Sequence, residues 1–472
     1  MVNDPVYFVI PTYRLKDVGE TVRVYDENFR RNGHDVRMVV FDDSSIGAHE
    51  KYFASLQEVK THNDLLYVGP REKEQFIAYI NSRLKDRALG SLVRDLFRPS
   101  YGGNRNVALM YTLGSLLVSS DDDMRPRALV EDSPESLELD EVARGKIVRA
   151  SDGGFTRKSF DLLTAFLDAL GKPVSEVPAN YLQGDHVADT AMDLETNTSM
   201  GLMRANSLLL RRGSLPADGV AKVAQTFRSG TNDIDALDYV ELFLGDPTET
   251  DLDALNETYV LVNWRPVVTK NNWRIDCGVA GYDNRDGLPP FFPTRLRFED
   301  YIYRLWIQQP GVAAAHVDAA QTHLKSNYMR SPLASEVFNE EIANLLKRKF
   351  KGNPWRADAL TVTFDYDGEV TLADCEEILA RVRRVYHRAL AEAGATSSPG
   401  RASALTQFAT TLERAFYGFE PDFFQQNVAR IVDDVVNQIK ACIDIWPRLI
   451  EICLFQKSRA GGGLPATRIC PA

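Results

Sequence analysis

The sequence has few cysteines, no long hydrophobic run and no leader-like start. Its five cysteines are scattered without C-x-x-C spacing. This fits neither a disulfide framework nor a cysteine-ligated zinc site and favours a reducing compartment. The chain lacks the run of about 18 apolar residues that a membrane-spanning helix requires, and its first residues lack the basic start and apolar core of a signal peptide. We therefore expect a cytoplasmic protein without a transmembrane segment.

The sequence also has fewer basic than acidic residues: 66 acidic residues outnumber 55 lysines and arginines, and the net charge is −11. This balance argues against wholesale binding to nucleic acid or to an anionic membrane. The motifs GxxxxGK[ST] and HExxH are absent, and no GxGxxG follows the first apolar run. The length of 472 residues, with 44% apolar and 26% charged residues, otherwise indicates a globular protein of two or three domains.

The first 125 residues alternate between short apolar runs and polar helical stretches. Runs at 6–10, 36–41, 65–68 and 115–120 predict buried strands, and stretches such as 17–31 and 104–113 predict helices. Such alternation is typical of βαβ units. We therefore predict an α/β fold in which helices cover both faces of a parallel sheet.

Three of these predicted strands end in polar or acidic residues. They are Pro11, Thr12 and Arg14 after the first strand, Asp42 and Asp43 after the second, and Asp121, Asp122 and Asp123 after the fourth. Because ligands of open α/β sheets bind at the carboxyl ends of the strands, these groups should converge on one crevice. The alternative is that loops are simply polar, which explains the second pair equally well.

The three adjacent aspartates indicate a positively charged binding partner, because neighbouring carboxylates repel each other. A divalent cation removes this repulsion, and hard oxygen ligands suit Mg²⁺ or Mn²⁺, which commonly recruit substrate phosphates. No glycine-rich phosphate loop accompanies the triplet. The pattern therefore predicts a phosphate-bearing ligand held by aspartates and a metal.

Four segments together resemble a glycosyltransferase of the GT-A fold, closest to the family 2 type. In chain order they are FVIPTYR, VVFDDSS, GGNRNVALMYTLGSLLVSSDDD and RFEDYIYRLW. The resemblance extends over roughly residues 6–126 and, more thinly, 270–330. It implies a Rossmann-like mixed sheet that binds a nucleotide-diphosphate sugar, a UDP-sugar before others, with Mn²⁺ or Mg²⁺.

The resemblance also implies a role for each strand end. The nucleotide-sugar residues would be Pro11, Thr12 and Arg14, Asp42 or Asp43 at the base or ribose, Arg105, Asp121 on the ribose side and Asp122. Asp123 would bind the metal that bridges the diphosphate. Arg105 follows Asn104 where the family has an alanine, and the alternative for this arginine is an ordinary ion pair.

A second acidic pair, Glu299 and Asp300, precedes an amphipathic helical pattern. Inverting sugar transfer needs a base that takes the proton of the acceptor hydroxyl. The resemblance implies Asp300 as this base and Glu299 as the residue that orients the acceptor; the alternative is an ordinary acidic helix start. One helix further on, His323 would be a further metal ligand or else a structural hydrogen-bonding residue.

We predict two domains: a GT-A catalytic domain over residues 1–330, with a helical insertion at roughly 129–250, and a helical C-terminal domain over 331–472. Helical patterns at 159–171 and 233–245 fall in the insertion. After residue 331, apolar spacing predicts helices broken at 352–354 and 396–403, a strand at 360–366 and a flexible tail. These helices should pack on the catalytic domain or on a partner, a second copy included.

The sequence thus predicts a metal-dependent, inverting glycosyltransferase. Its acceptor would be a saccharide, a lipid-linked glycan, a natural product or a peptide. A retaining GT-A enzyme and a non-catalytic sugar-nucleotide binding or scaffold protein stay open. A sugar-phosphate nucleotidyltransferase would want glycines after the first strand, where PTYRLKD has none. A glycoside hydrolase also uses two carboxylates but needs no diphosphate site.

Overall fold

The computed structural model describes residues 6–44, 47–131, 146–149, 155–159, 161–172, 191–197, 202–209, 220–226, 237, 259–262, 278–291, 299, 303, 312–317, 322–323, 332–356, 361–366, 370–459 and 462–469. Asp300 lies outside these residues, and so does the predicted helix at 233–245 apart from residue 237. Among the described helices, none is long and apolar enough to cross a membrane.

A mixed sheet of eight strands forms the centre of the fold. The strands are β1 (Val6–Thr12), β2 (Arg37–Asp42), β3 (Asp64–Val68), β4 (Leu116–Ser120), β5 (Val220–Thr226), β6 (Val279–Asp283), β7 (Val312–Val317) and β8 (Thr467–Arg468). Their order is β7-β5-β6-β4-β1-β2-β3-β8. Strands β1 to β4 are parallel, whereas β6 is antiparallel to both of its neighbours and β8 is antiparallel to β3. The predicted mixed α/β architecture is confirmed.

Ten helices of eight or more residues are described. They are α1 (Leu15–Asn32), α2 (His49–Gln57), α3 (Pro70–Leu84), α4 (Leu89–Leu96), α5 (Tyr101–Tyr111), α6 (Leu162–Ala169), α7 (Ala334–Lys349), α8 (Leu372–Ala395), α9 (Pro399–Phe416) and α10 (Ala429–Ser458). A 3₁₀ turn (Tyr417–Phe419), a short α turn (Pro421–Phe423) and a π turn (Phe424–Val428) join α9 to α10.

Helices cover both faces of the sheet because strands such as β1 are apolar on both sides. Alternate side chains of a strand point to opposite faces. Phe8 and Ile10 pack in one buried cluster with α1, α2 and α6, while Tyr7 and Val9 pack in a second cluster with α3, α4 and α5. Two hydrophobic layers therefore hold the sheet from opposite sides.

Local turn chemistry sets where the first helices begin and end. Helix α1 ends at Gly33, whose φ of 74° lies in the left-handed region that glycine adopts easily. At the start of α3, the Gly69 N–H donates to the Glu72 side chain at 3.0 Å, and Ser100 caps α5 by accepting from the Gly103 N–H at 3.0 Å. The predicted strands and helices of residues 6–120 are confirmed within a few residues.

The sheet places a crevice beside the end of β1. From β1 the chain moves outward to β2 and β3 on one side and then returns to place β4 on the other side. In an open α/β sheet this reversal of strand order leaves a gap at the carboxyl ends of the two strands, where ligands bind. The crevice between β1 and β4 is therefore where polar strand ends meet.

The described part of the insertion is not mainly helical. Besides α6, it contains strands that pair in small two-stranded sheets. The pairs that involve residues 127–262 are Arg127–Glu131 with Phe155–Ser159, Lys146–Arg149 with Tyr259–Val262, and Ala191–Asn197 with Leu202–Leu209. The expectation of a helical insertion is therefore wrong for these residues.

The C-terminal helices pack directly on the sheet region. Helix α10 contributes buried side chains to the same cluster as α3, α4 and α5. The Trp446 indole N–H donates to the Leu288 carbonyl at 2.6 Å. Arg448 donates to the Leu84 carbonyl at 2.8 Å. One continuous hydrophobic core thus joins the two predicted domains.

Two expectations for the C-terminal region need correction. The predicted break at 396–403 is present between the end of α8 at Ala395 and the start of α9 at Pro399, but it is shorter than expected: Ser398 accepts from the Arg401 N–H at 3.3 Å and Pro399 occupies the first turn. The tail expected to be flexible instead supplies β8 along the edge of β3, and Ile469 is buried there. The predicted strand at 360–366 is confirmed as one arm of a hairpin, Phe350–Arg356 with Thr361–Tyr366.

Candidate active site

A cleft of about 370 Å³ opens at the carboxyl ends of β1, β2 and β4. Most of the nucleotide-pocket residues predicted from the sequence line it, namely Pro11, Thr12, Arg14, Asp43, Arg105, Asp121 and Asp122. Tyr13, Pro99, Ser100, Tyr101 and Asn104 complete the wall. Segments that are distant in the sequence therefore converge as the positions of the strand ends predict.

A buried hydrogen bond joins β1 to the aspartate triplet. The Thr12 hydroxyl donates to a carboxylate oxygen of Asp122 at 2.6 Å, and the Arg14 N–H donates to the same hydroxyl at 3.1 Å. Asp122 is only 3% exposed. Burial raises the pKa of Asp122 to about 6, although the Thr12 hydrogen bond and the charge of Arg14 act in the opposite direction. Asp122 thus connects two strands at the base of the cleft.

Asp123 faces a positive charge from its own chain. The Arg14 guanidinium forms an ion pair with the buried Asp123 carboxylate and lies 3.8 Å from an Asp122 oxygen. Partial burial alone would lower the pKa of Arg14, but these two carboxylates raise it above its usual range. The end of β4 therefore binds a cation at the position where the sequence predicts a metal.

Arg105 connects the two acidic groups that were predicted separately. It donates to Asp121 at 3.3 Å and to Glu299 at 3.1 Å, although Arg105 and Glu299 are 194 positions apart. The guanidinium also lies 5.9 Å from the centre of the Phe291 ring. Asp121 and Glu299, for which the sequence predicts donor-side and acceptor-side roles, are thus neighbours across one arginine.

Asn106 holds the segment that leads to Glu299. Its side-chain oxygen accepts from the Phe291 N–H at 2.6 Å. Its amide donates to the carbonyls of Phe291 at 2.8 Å and Leu96 at 3.0 Å. The Phe291 ring then stacks on Tyr303 with a centroid distance of 3.9 Å. These contacts attach the 288–291 segment to α5, next to Arg105.

The two aspartates at the end of β2 have different surroundings. Asp42 is fully buried and accepts from the Tyr67 hydroxyl at 2.7 Å and from the Ser44 N–H and hydroxyl at 2.6 and 2.7 Å. Asp43 instead lines the cleft and accepts from the Ser100 N–H at 3.0 Å. Of the pair, Asp43 is placed to meet a ligand and Asp42 supports the strand end.

Lys73 positions Asp43, and sequence reasoning missed it. Its ammonium forms an ion pair with Asp43 and donates to the Asp42 carbonyl at 2.9 Å and to Asn104 at 2.7 Å. Burial raises the pKa of Asp43, and the nearby Lys73 charge partly offsets this effect. Because β3 lies beside β2, a lysine in the first turn after β3 falls near the end of β2. This was the signal in the sequence that could have identified it.

No protein-family model matches the sequence, and none of the curated proteins matches it. Among solved structures, the chain matches the mannosyltransferase PcManGT from Pyrobaculum calidifontis, solved in complex with GDP-Man and Mn²⁺. The two chains are 12% identical, the match covers 94% of this chain and 87% of that chain, and the TM-score is 0.29. A score this low establishes neither a shared fold nor a shared function.

The oxygen ligands available at the end of β4 fit a hard divalent cation. Asp121 and Asp123 supply carboxylate oxygens, and Arg14 shows that this place holds positive charge. The His323 backbone pairs with Met124, directly after Asp123. Within the part of the chain that the structure describes, no three His, Cys, Asp or Glu residues form a metal cluster. Mg²⁺ and Mn²⁺ fit such an incomplete set, since substrate phosphates and water complete their coordination.

Proposed function

We propose that the protein is a glycosyltransferase that moves a sugar from a nucleotide-diphosphate sugar to an acceptor hydroxyl. The observation that carries the proposal is the convergence on one cleft of Arg14, Asp43 and Asp121, with Glu299 joined to them through Arg105. A cleft that presents acidic side chains beside basic ones suits a ligand that carries both hydrogen-bond donors and a diphosphate.

Each wall of the cleft has its own task in this proposal. Asp43 accepts hydrogen bonds from the base or ribose, and Arg14 and Asp121 lie along the ribose and diphosphate. Asp123, with His323, holds the divalent ion, which when bound neutralises charge on the diphosphate. Among UDP-, GDP- and dTDP-sugars, we propose a UDP-sugar as the donor because of the family resemblance of the sequence.

The chemistry is a single displacement at the anomeric carbon. The acceptor oxygen forms a bond to this carbon while the bond to the diphosphate oxygen breaks, and the electron pair leaves with the nucleoside diphosphate. Asp300 takes the proton of the acceptor hydroxyl, and Glu299 orients the acceptor. One displacement of this kind inverts the anomeric configuration.

Calorimetry of UDP, GDP and dTDP binding, with and without Mn²⁺, tests the donor site. We expect at least one nucleotide to bind more tightly with Mn²⁺, and Asp123→Ala to lose this enhancement. Release of free nucleoside diphosphate from a sugar donor together with an acceptor then tests transfer. If no nucleoside diphosphate binds under any condition, the proposal is wrong. Binding without any transfer would instead favour the non-catalytic alternative.

A further inference from the structure

Arg14 occupies an unusual position for a pocket-lining arginine. Its side chain is 38% exposed on the cleft wall, yet its guanidinium pairs with the Asp123 carboxylate, which is only 3% exposed. The residue stands in the turn between β1 and α1, and as the residue before α1 it makes no side-chain capping hydrogen bond. A partly exposed cation therefore covers a buried anion at the edge of the pocket.

We propose that Arg14 is a gate residue: its guanidinium occupies the cation position of Asp123 in the empty site and transfers to the nucleotide diphosphate when a divalent ion binds. The inference rests on the proposed function, which supplies both the ion and the diphosphate. It goes beyond that function by making the two binding events depend on one side chain.

The electrostatics of the pair favour this exchange. Two cations about 4 Å apart repel each other by about 1 kcal/mol per pair of unit charges even in bulk water and by more at a protein surface. Asp123 therefore cannot hold Arg14 and a divalent ion together at low cost. An ion that binds without nucleotide therefore competes with the guanidinium for this anion.

The diphosphate removes this cost because it gives the displaced guanidinium a new anionic partner. Arginine matches phosphate oxygens with two parallel N–H donors, so the new contact is a favourable one. Binding of the nucleotide thus assists binding of the ion, and by linkage the ion assists binding of the nucleotide to the same extent. Arg14 would keep the site from trapping free metal.

The surroundings of Arg14 allow it to move without unfolding the strand ends. The Tyr13 residue is 54% exposed, and the centre of its ring lies 5.2 Å from the guanidinium. The guanidinium can therefore stack on this ring when it leaves the ion pair. Arg125 shows the contrast, since it is fully buried and donates to Thr21 at 2.6 Å and to the Met124 carbonyl at 2.8 Å. Arg125 is a structural arginine, whereas Arg14 lines the cleft.

Mn²⁺ affinity without nucleotide, measured by electron paramagnetic resonance of free Mn²⁺, tests the gate in the wild type and in Arg14→Met. We expect the variant to bind Mn²⁺ alone about tenfold more tightly, because the ion no longer competes with the guanidinium. The factor by which nucleoside diphosphate tightens Mn²⁺ binding should fall about tenfold in the variant. Arg23→Met removes an exposed arginine of α1 that pairs with Glu20 and Glu27, and should change neither value.

Arg14→Lys provides a second variant that keeps the positive charge, and its Mn²⁺ affinity should stay close to that of the wild type. If Arg14→Met binds Mn²⁺ alone no more tightly than the wild type, the gate is refuted while the nucleotide site stands. If Mn²⁺ affinity responds as expected but no nucleoside diphosphate binds, the proposed function fails and the competition at Asp123 survives. Equal tightening in Arg14→Lys and Arg14→Met would also refute the gate, because the charge would then not be the cause.

Discussion

Single cations organise the acidic residues of the cleft. Arg14 pairs with Asp123, Lys73 with Asp43, and Arg105 with Asp121 and Glu299. Removing one partner of a buried pair leaves an uncompensated charge, which commonly costs about 3–5 kcal/mol. This cost applies to the buried pairs Lys73–Asp43 and Arg105–Glu299, whereas Arg14 and Asp121 are 38% and 41% exposed and are screened by water.

Lys73→Met tests this view at the end of β2. The variant leaves the Asp43 carboxylate buried without its cation, so we expect the free energy of unfolding to fall by about 3 kcal/mol. Nucleotide affinity should fall as well, because Asp43 loses its fixed position. Urea denaturation and calorimetry measure the two effects.

The double variant Lys73→Met/Asp43→Asn is the control. Since it carries no unpaired charge, it should recover part of the lost stability but not the nucleotide affinity. Strictly additive losses of stability would show that the two side chains do not act as a pair.

Asp300→Asn tests the proposed general base. The change preserves size but removes the group that accepts the proton, so kcat should fall by about 10²- to 10⁴-fold. Donor affinity should stay unchanged, because the base faces the acceptor. The exposed Asp286 provides a matched control, and Asp286→Asn should transfer sugar at the wild-type rate. A product with retained anomeric configuration would rule out the single displacement and assign the enzyme to the retaining alternative.

Among the elements, α10 has a partly buried lysine where it packs against the sheet region. The Lys457 ammonium donates to the Leu113 carbonyl at 2.7 Å and lies 5.9 Å from the centre of the Tyr7 ring. Burial lowers the pKa of Lys457 to about 8. At neutral pH the charged Lys457 ammonium is thus partly desolvated, and it donates a hydrogen bond to a carbonyl just after the end of α5.

The stability of the chain should therefore depend on pH through Lys457. Between pH 8 and pH 10.5 the unfolded chain binds this proton and the folded chain releases it, so stability should rise with pH. Relative to Lys457→Met, the wild type should gain about 1–2 kcal/mol over this window, less than the full shift because the residue is partly exposed. Denaturation at several pH values measures the difference, and the exposed Lys440→Met should show no such trend. A constant difference would contradict the assigned burial.

On the scale of the whole molecule, the C-terminal helices complete the core instead of standing apart from it. Side chains of α10 such as Leu449 and Cys453 are fully buried in the cluster that holds Phe97 and Leu113. The tail strand β8 also closes the edge of β3. An exposed edge of a sheet invites pairing with other chains, so this cover protects against aggregation.

Truncation after residue 330 tests this continuity. The shortened chain would expose the surfaces of α3, α4 and α5 that α10 covers, so we expect aggregation and no cooperative thermal transition. A chain that ends at residue 459 loses only the tail and should stay folded with a lower Tm. Gel filtration and thermal unfolding report both outcomes. If residues 1–330 alone fold and bind nucleotide, the C-terminal helices form a separable domain after all.

Sequence patterns determined the elements that local physics controls. Buried parallel strands are apolar on both faces, glycine and proline mark helix ends, and polar residues mark strand ends, so β1 to β4 and the cluster from Thr12 to Asp123 could be predicted. The start of α9 was placed too late because Pro399 and Gly400 suggest a break, although a proline in the first turn is compatible with a helix.

Only the tertiary structure decided which distant groups meet. Nothing local in the sequence places Glu299 on Arg105 or α10 on the helices beside the sheet, and Lys73 reaches Asp43 only because β3 lies beside β2. These contacts depend on strand order and on the direction in which each element packs, which a periodic pattern does not record. The sequence by itself determined what each strand end carries, and packing decided which strand ends share a cleft and which cation holds each acid.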